Sequence, residues 1–138
     1  MKNSLFVWIL ILMLGCADNT QVENCLPNIS ISTTTDLNNP SNIGLQTPGG
    51  FTILNGGAKG ILLFNINGTT FVAYDLICPN LDCSSPMVFE NGLTLKCLCD
   101  NSEYSVHLGG SPQTNGSNCP AREYQVLKNG TSIRITNF

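Results

Sequence analysis

CPNLDCSSPMVFENGLTLKCLCDNS, residues Cys78 to Ser102, holds four of the chain's seven cysteines in two short clusters. Between them Pro86-Met87-Val88-Phe89 leads into a turn at Glu90-Asn91-Gly92, and Leu93-Thr94-Leu95-Lys96-Cys97 follows as a strand. Side chains alternate across a strand, so Leu93, Leu95 and Cys97 share one face while Thr94 and Lys96 take the other. Two cysteine loops are thus presented by β-structure. The question the stretch poses is whether its thiols hold a metal or hold each other.

The rest of the chain sets the frame. It has 138 residues, enough for one domain with a core. Charged residues make up 11%, well under the roughly 25% usual for globular proteins. Gly, Asn, Ser, Thr and β-branched residues fill the difference, a composition that reads as all-β with many tight turns. A net charge of −3 and a pI near 4.8 leave no basic stripe to neutralise phosphates, so nucleic acid is excluded as a partner.

The amino terminus reads as a targeting segment over residues 1–15. Lys2 precedes the apolar run Leu5 to Leu14, which is too short to span a bilayer as a helix. Met13-Leu14-Gly15-Cys16 resembles a bacterial lipobox, which implies that Cys16 is lipidated and becomes the first residue of an exported, membrane-anchored chain. Residues 17–24 are polar and form a tether, leaving 25–138 as the β domain. The partner implied is a membrane, reached through the Cys16 lipid. Without Cys16 six cysteines remain: Cys25, Cys78, Cys83, Cys97, Cys99 and Cys119. An even set in an exported chain favours disulfides over free thiols or zinc, with the pairing left open. Zinc stays the minority reading, since four cysteines with a Cys-X-Cys step can bind it. Thioredoxin-like exchange needs Cys-X-X-Cys at a helix N-terminus, and the sequence has neither.

Along the chain, the alternation in Asn28 to Thr33 predicts an early strand, followed by a long loop through Asn38-Asn39-Pro40 and Thr47-Pro48-Gly49-Gly50. Phe51 to Leu54 is a short strand. Gly60 to Ile66 and Thr69 to Leu76 form a hairpin, with Asn67-Gly68 suited to a type I′ turn. Phe71, Ala73 and Asp75 alternate there with Val72, Tyr74 and Leu76, so both faces are partly covered. Tyr104-Ser105-Val106 is a strand that enters a Gly109-Gly110-Ser111-Pro112 loop. Tyr124 to Leu127 and Ser132 to Ile135 make a last hairpin around Asn129-Gly130, with Ile133 and Ile135 on one face. No helix is expected. Asn-X-Ser/Thr triplets start at Asn28, Asn67, Asn115 and Asn129, but a bacterial export signal makes glycosylation there an unfavoured reading.

The two clusters together, Cys78-Pro79-Asn80-Leu81-Asp82-Cys83 and Cys97-Leu98-Cys99-Asp100-Asn101-Ser102, resemble a Rieske domain of the disulfide-bearing type. The resemblance runs from about Phe51 to Ile135 and takes in Tyr104 to Gly110 and Pro120 to Val126. It implies a small antiparallel β-sandwich or barrel carrying a cysteine-rich pair of loops. In that family each loop gives one Cys and one His to a [2Fe–2S] cluster, and two further cysteines bridge the loops. The resemblance therefore puts Cys78 and Cys97 at the thiolate ligand positions and Cys83 and Cys99 at the bridge. Asn80 and Asp100 stand where the two histidines belong. An amide keeps its protons and donates weakly, and a carboxylate adds negative charge where neutral imidazole is used. The only histidine, His107, lies seven residues past the second position and reads as a surface residue at a strand end.

Without the imidazoles the thiols have another fate. Cys97 and Cys99 lie two apart and leave the same strand face, so they can meet two partners from the opposing loop. Cys83–Cys99 follows from the family pattern, and Cys78–Cys97 becomes possible if no iron separates them. Cys25 and Cys119 then remain for a third bridge. The resulting expectation is a cluster-free, non-enzymatic lipoprotein that acts as a structural or interaction module of the cell envelope, with an unidentified protein partner and no cofactor. The alternative is an electron-transfer protein holding [2Fe–2S] through Cys78, Cys97, Asp100 and Asn80 or water. No Ser/His/Asp constellation, carboxylate pair or phosphate-cradling loop points to an enzyme.

Overall fold

A computed structural model describes residues 25–81 and 83–137. Cys16, its tether and Asp82 lie outside the described residues. Among the described residues ten strands run in chain order as β1 Ser32–Asp36, β2 Phe51–Leu54, β3 Ile61–Asn65, β4 Phe71–Asp75, β5 Val88–Glu90, β6 Thr94–Lys96, β7 Glu103–Ser105, β8 Ser111–Pro112, β9 Glu123–Asn129 and β10 Ser132–Thr136. They form a six-stranded sheet, β1-β10-β9-β4-β3-β2, and a four-stranded sheet, β5-β6-β7-β8. Every pairing is antiparallel.

β3 shows how one strand organises two cores. Its run Ile61-Leu62-Leu63-Phe64 is apolar at every position, the pattern of a strand covered on both faces, and all four residues are buried. Leu62 and Phe64, with Tyr74 and Leu76, pack against Met87, Leu95, Tyr104, Val106 and the site cysteines. Ile61, Leu63, Phe71 and Ala73 face the other way, onto Leu45, Tyr124, Ile133 and Ile135. The first core cements the small sheet to the large one and so carries the cysteine loops. The second closes β1, β9 and β10 over the opposite face.

Several local expectations shift. The early strand begins at Ser32, not Asn28, pairing Ser32 with Thr136. Upstream, the Asn137 side chain replaces the ladder, its Oδ1 accepting from Ile31 N at 3.2 Å and its Nδ2 donating to Ile29 O at 2.7 Å. Within the expected loop, Pro40–Gln46 is a 3-10 helix, with Asn39 as N-cap accepting from Ser41 N and Pro40 in the first turn. Burial of Leu45 under β3 makes that turn part of the core. The β3–β4 hairpin ends at Asn65 and Phe71. Asn67 Oδ1 organises its loop by accepting from Thr69 N at 3.0 Å and Thr70 N at 2.7 Å. The positive φ pair of a type I′ turn occurs instead at Asn91 (55°) and Gly92 (67°), closed by Leu93 N donating to Glu90 O at 3.1 Å. Leu93 sits just outside β6 and is exposed, unlike its expected face-mates Leu95 and Cys97.

The Gly109-Gly110 step has a specific cause. Gly110 has φ +73°, and a Cβ there would lie 2.6 Å from the Ala121 carbonyl oxygen. Its own carbonyl accepts from Ala121 N at 2.9 Å, so the two backbones must meet. Gly110→Ala is therefore expected to destabilise the domain by roughly 1–3 kcal/mol, read as a lower urea midpoint with unchanged slope.

Candidate functional site

β4 delivers the first loop and β6 the second. The first opens in a turn, with Cys78 O accepting from Leu81 N at 3.1 Å and Leu81 at φ 57°. The second opens likewise, with Cys97 O accepting from Asn101 N at 3.0 Å and Asn101 at φ 59°. Cys97 N closes that loop by donating to Ser102 O at 2.9 Å. Each loop thus presents a buried cysteine at its base and a second one further out.

Six sulfurs of the described residues form three bridges. Cys78 bonds Cys97, Cys83 bonds Cys99, and Cys25 bonds Cys119. Cα–Cα distances are 5.6, 5.6 and 5.7 Å in that order, within the ordinary range. Cys78 and Cys97 are fully buried and Cys83 nearly so, while Cys99 is exposed. The sulfurs of Cys78, Cys83 and Cys97 all lie within 4.8 Å of one another. The third bridge ties the start of the domain to the segment before β9, and Arg122 adds to it by donating to Pro27 O.

Asn80 and Asp100, from opposite loops, meet each other: Asn80 Nδ2 donates to Asp100 Oδ2. Asp100 Oδ1 accepts from Ser102 N at 2.9 Å and Ser102 Oγ at 2.7 Å, and Tyr104 donates to Ser102 Oγ at 3.0 Å. The Ser102 hydroxyl and amide hold the Asp100 carboxyl below its ordinary value of 3.8. A depressed folded value means this contribution to stability is present above the unfolded value and lost as pH falls through the folded one. The difference in urea midpoint between the wild type and Asp100→Ala is thus expected to shrink as pH drops below 3.8.

This donor set does not fit a Rieske cluster. Two thiolates and two imidazoles are needed. Here the candidate thiolates are bonded to each other, and both Asp100 oxygens already accept hydrogen bonds. His107 is not brought to the site. Its ring packs edge-on against Phe64 at 5.5 Å and its Nε2 lies 3.2 Å from Gly92 O, as an exposed residue.

Sequence reasoning missed the support beneath the first loop. Asp75, at the end of β4, is fully buried. Its Oδ2 accepts from Ala58 N and Tyr124 Oη, both at 2.6 Å, and its Oδ1 accepts from Ile77 N at 2.9 Å and Lys59 N at 3.2 Å. Burial first, then the Asp75 carboxylate, push the Tyr124 phenol above its usual range, so it stays a donor. A carboxylate ending an otherwise apolar strand was the available signal. The loop tips also carry exposed Leu81 and Leu98.

No protein-family model matches the sequence, and no curated protein matches it. Solved structures do. The ferredoxin of carbazole 1,9a-dioxygenase from Nocardioides aromaticivorans IC177 superposes with a TM-score of 0.50 at 18% identity, covering 80% of this chain and 100% of that one. A complex of reduced oxygenase and oxidised ferredoxin in carbazole 1,9a-dioxygenase gives 0.52 at 16%, covering 78% and 94%. A candidate NADH-dependent nitrite reductase small subunit from Mycobacterium tuberculosis gives 0.50 at 14%, covering 80% and 98%. At these identities the likeness speaks to architecture, and the architecture of this chain is an all-β, Rieske-like one.

Proposed function

We propose that the chain is an exported, lipid-anchored Rieske-like domain that works as a structural or interaction module of the cell envelope, without a [2Fe–2S] cluster and without catalysis of its own. The Cys78–Cys97 disulfide carries this reading, because it consumes the two sulfurs that the family's cluster would need. Three disulfides belong in an oxidising, exported compartment. The exposed apolar tips Leu81 and Leu98, one on each loop, are the natural contact points for an unidentified protein partner. The anchor rests on the lipobox at Cys16.

The exported protein is expected to be colourless, with neither iron nor acid-labile sulfide. A stoichiometric, reducible chromophore would overturn the reading in favour of an electron carrier. Palmitate label is expected on the wild type and absent from Cys16→Ser; label retained in that variant would remove the anchor from the account.

A further inference from the structure

The two site disulfides are neighbours, which the interaction role does not require. The three sulfurs of Cys78, Cys83 and Cys97 lie within 4.8 Å of one another, although two different bridges supply them. Their accessibility is graded. Cys99 is exposed, Cys83 is 5% exposed, and Cys78 and Cys97 are at 0%. Cys99 is thus the one exposed cysteine of the four and the point where an external thiolate meets the pair, and thiol–disulfide exchange depends on such access.

We propose that Cys83–Cys99 and Cys78–Cys97 form a coupled exchange pair, which an external dithiol opens at Cys99 and which passes the reduction inward through Cys83. In the first step a thiolate of the dithiol bonds to Cys99 Sγ, the Cys83–Cys99 bond breaks, and its electron pair leaves on Cys83 Sγ. Cys83 is then an anion in an apolar setting, where the charged form is disfavoured. In the second step Cys83 Sγ bonds to Cys78 or Cys97, the Cys78–Cys97 bond breaks, and the displaced sulfur takes up a proton. In the third the dithiol's other sulfur displaces Cys99, which is protonated as the dithiol leaves as its own disulfide. One dithiol has lost two electrons and two protons. The protein has gained two thiols, Cys99 and one of the buried pair, and holds Cys83 in a new bridge. Cys25–Cys119 contributes no sulfur to this cluster and takes no part in the relay.

The test adds one equivalent of dithiothreitol to the folded protein, quenches with acid, alkylates in denaturant and maps the label by mass spectrometry. Label is expected on Cys99 and on Cys78 or Cys97. Label confined to Cys83 and Cys99 would overturn the coupling. Label on Cys78 and Cys97 before any reductant is added would instead overturn the pairing on which both this proposal and the cluster-free reading stand. The Cys99→Ser variant reads the second step without reductant. With Cys16 blocked by its lipid, the variant's one free thiol is expected to be shared among Cys83, Cys78 and Cys97, and a thiol found on Cys83 alone contradicts the exchange.

Discussion

Asp75→Ala is expected to unfold the domain or to lower its stability by at least about 2 kcal/mol, since buried donors left without an acceptor cost about 1–3 kcal/mol each. Four donors depend on this carboxylate, the Ile77 amide and the Tyr124 hydroxyl in buried bonds and the Ala58 and Lys59 amides in part-buried ones. A domain of this size has only roughly 5–15 kcal/mol to lose. Asp75→Asn gives a graded control. It keeps one acceptor oxygen, and the Tyr124 hydroxyl can turn to accept from the new amide, so its loss should fall between wild type and Ala. Tyr124→Phe, which removes a single partner, should cost about 0.5–1.5 kcal/mol. Urea unfolding with the disulfides intact, followed by circular dichroism, reads all three. Equal midpoints for the wild type and Asp75→Ala would mean that the carboxylate does not support the loop as described.

Loss of the Cys25–Cys119 bridge is the second large effect. Its sequence separation is 94, against 19 for Cys78–Cys97. Chain entropy gives roughly 4–5 kcal/mol for the longer loop and about 3 kcal/mol for the shorter. The double variant Cys25→Ser, Cys119→Ser should thus lose more stability than removal of either site bridge, despite lying away from the main core. The other cross-links shorten the effective loop, which trims the difference without reversing it. Differential scanning calorimetry of the three double variants gives the order directly. A Cys25–Cys119 variant more stable than one lacking Cys78–Cys97 would contradict it.

What the sequence disclosed, and what it hid, follows from the range of the interactions concerned. Strands such as Phe51–Leu54 and Ile61–Asn65 were legible because apolar runs and Asn-Gly steps are local signals. The cysteine frame was legible because its spacing, Cys78 to Cys83 and Cys97 to Cys99, survives as a pattern in one dimension. The 3-10 helix Pro40–Gln46 was not, because its periodicity is too short to show and its reason for existing is burial of Leu45 under a strand from elsewhere in the chain. Asp75 was hidden for the same cause. Its partners Ala58, Lys59 and Tyr124 are 17, 16 and 49 residues away, and nothing local announces them. At the site, the missing imidazoles could be read from the chain, but the Asn80–Asp100 hydrogen bond that joins the loops in their place could not.

The central claim is that Cys78 and Cys97 are bonded to each other and not to iron. Intact mass of the exported protein, taken in denaturant before and after reduction with alkylation at each stage, tests it most directly. No cysteine should be alkylated before reduction, Cys16 being blocked by its lipid; after it, Cys25, Cys78, Cys83, Cys97, Cys99 and Cys119 should all be modified, a result of three bridges. Alkylation of Cys78 and Cys97 without reductant, with iron and sulfide released on denaturation, would contradict the account.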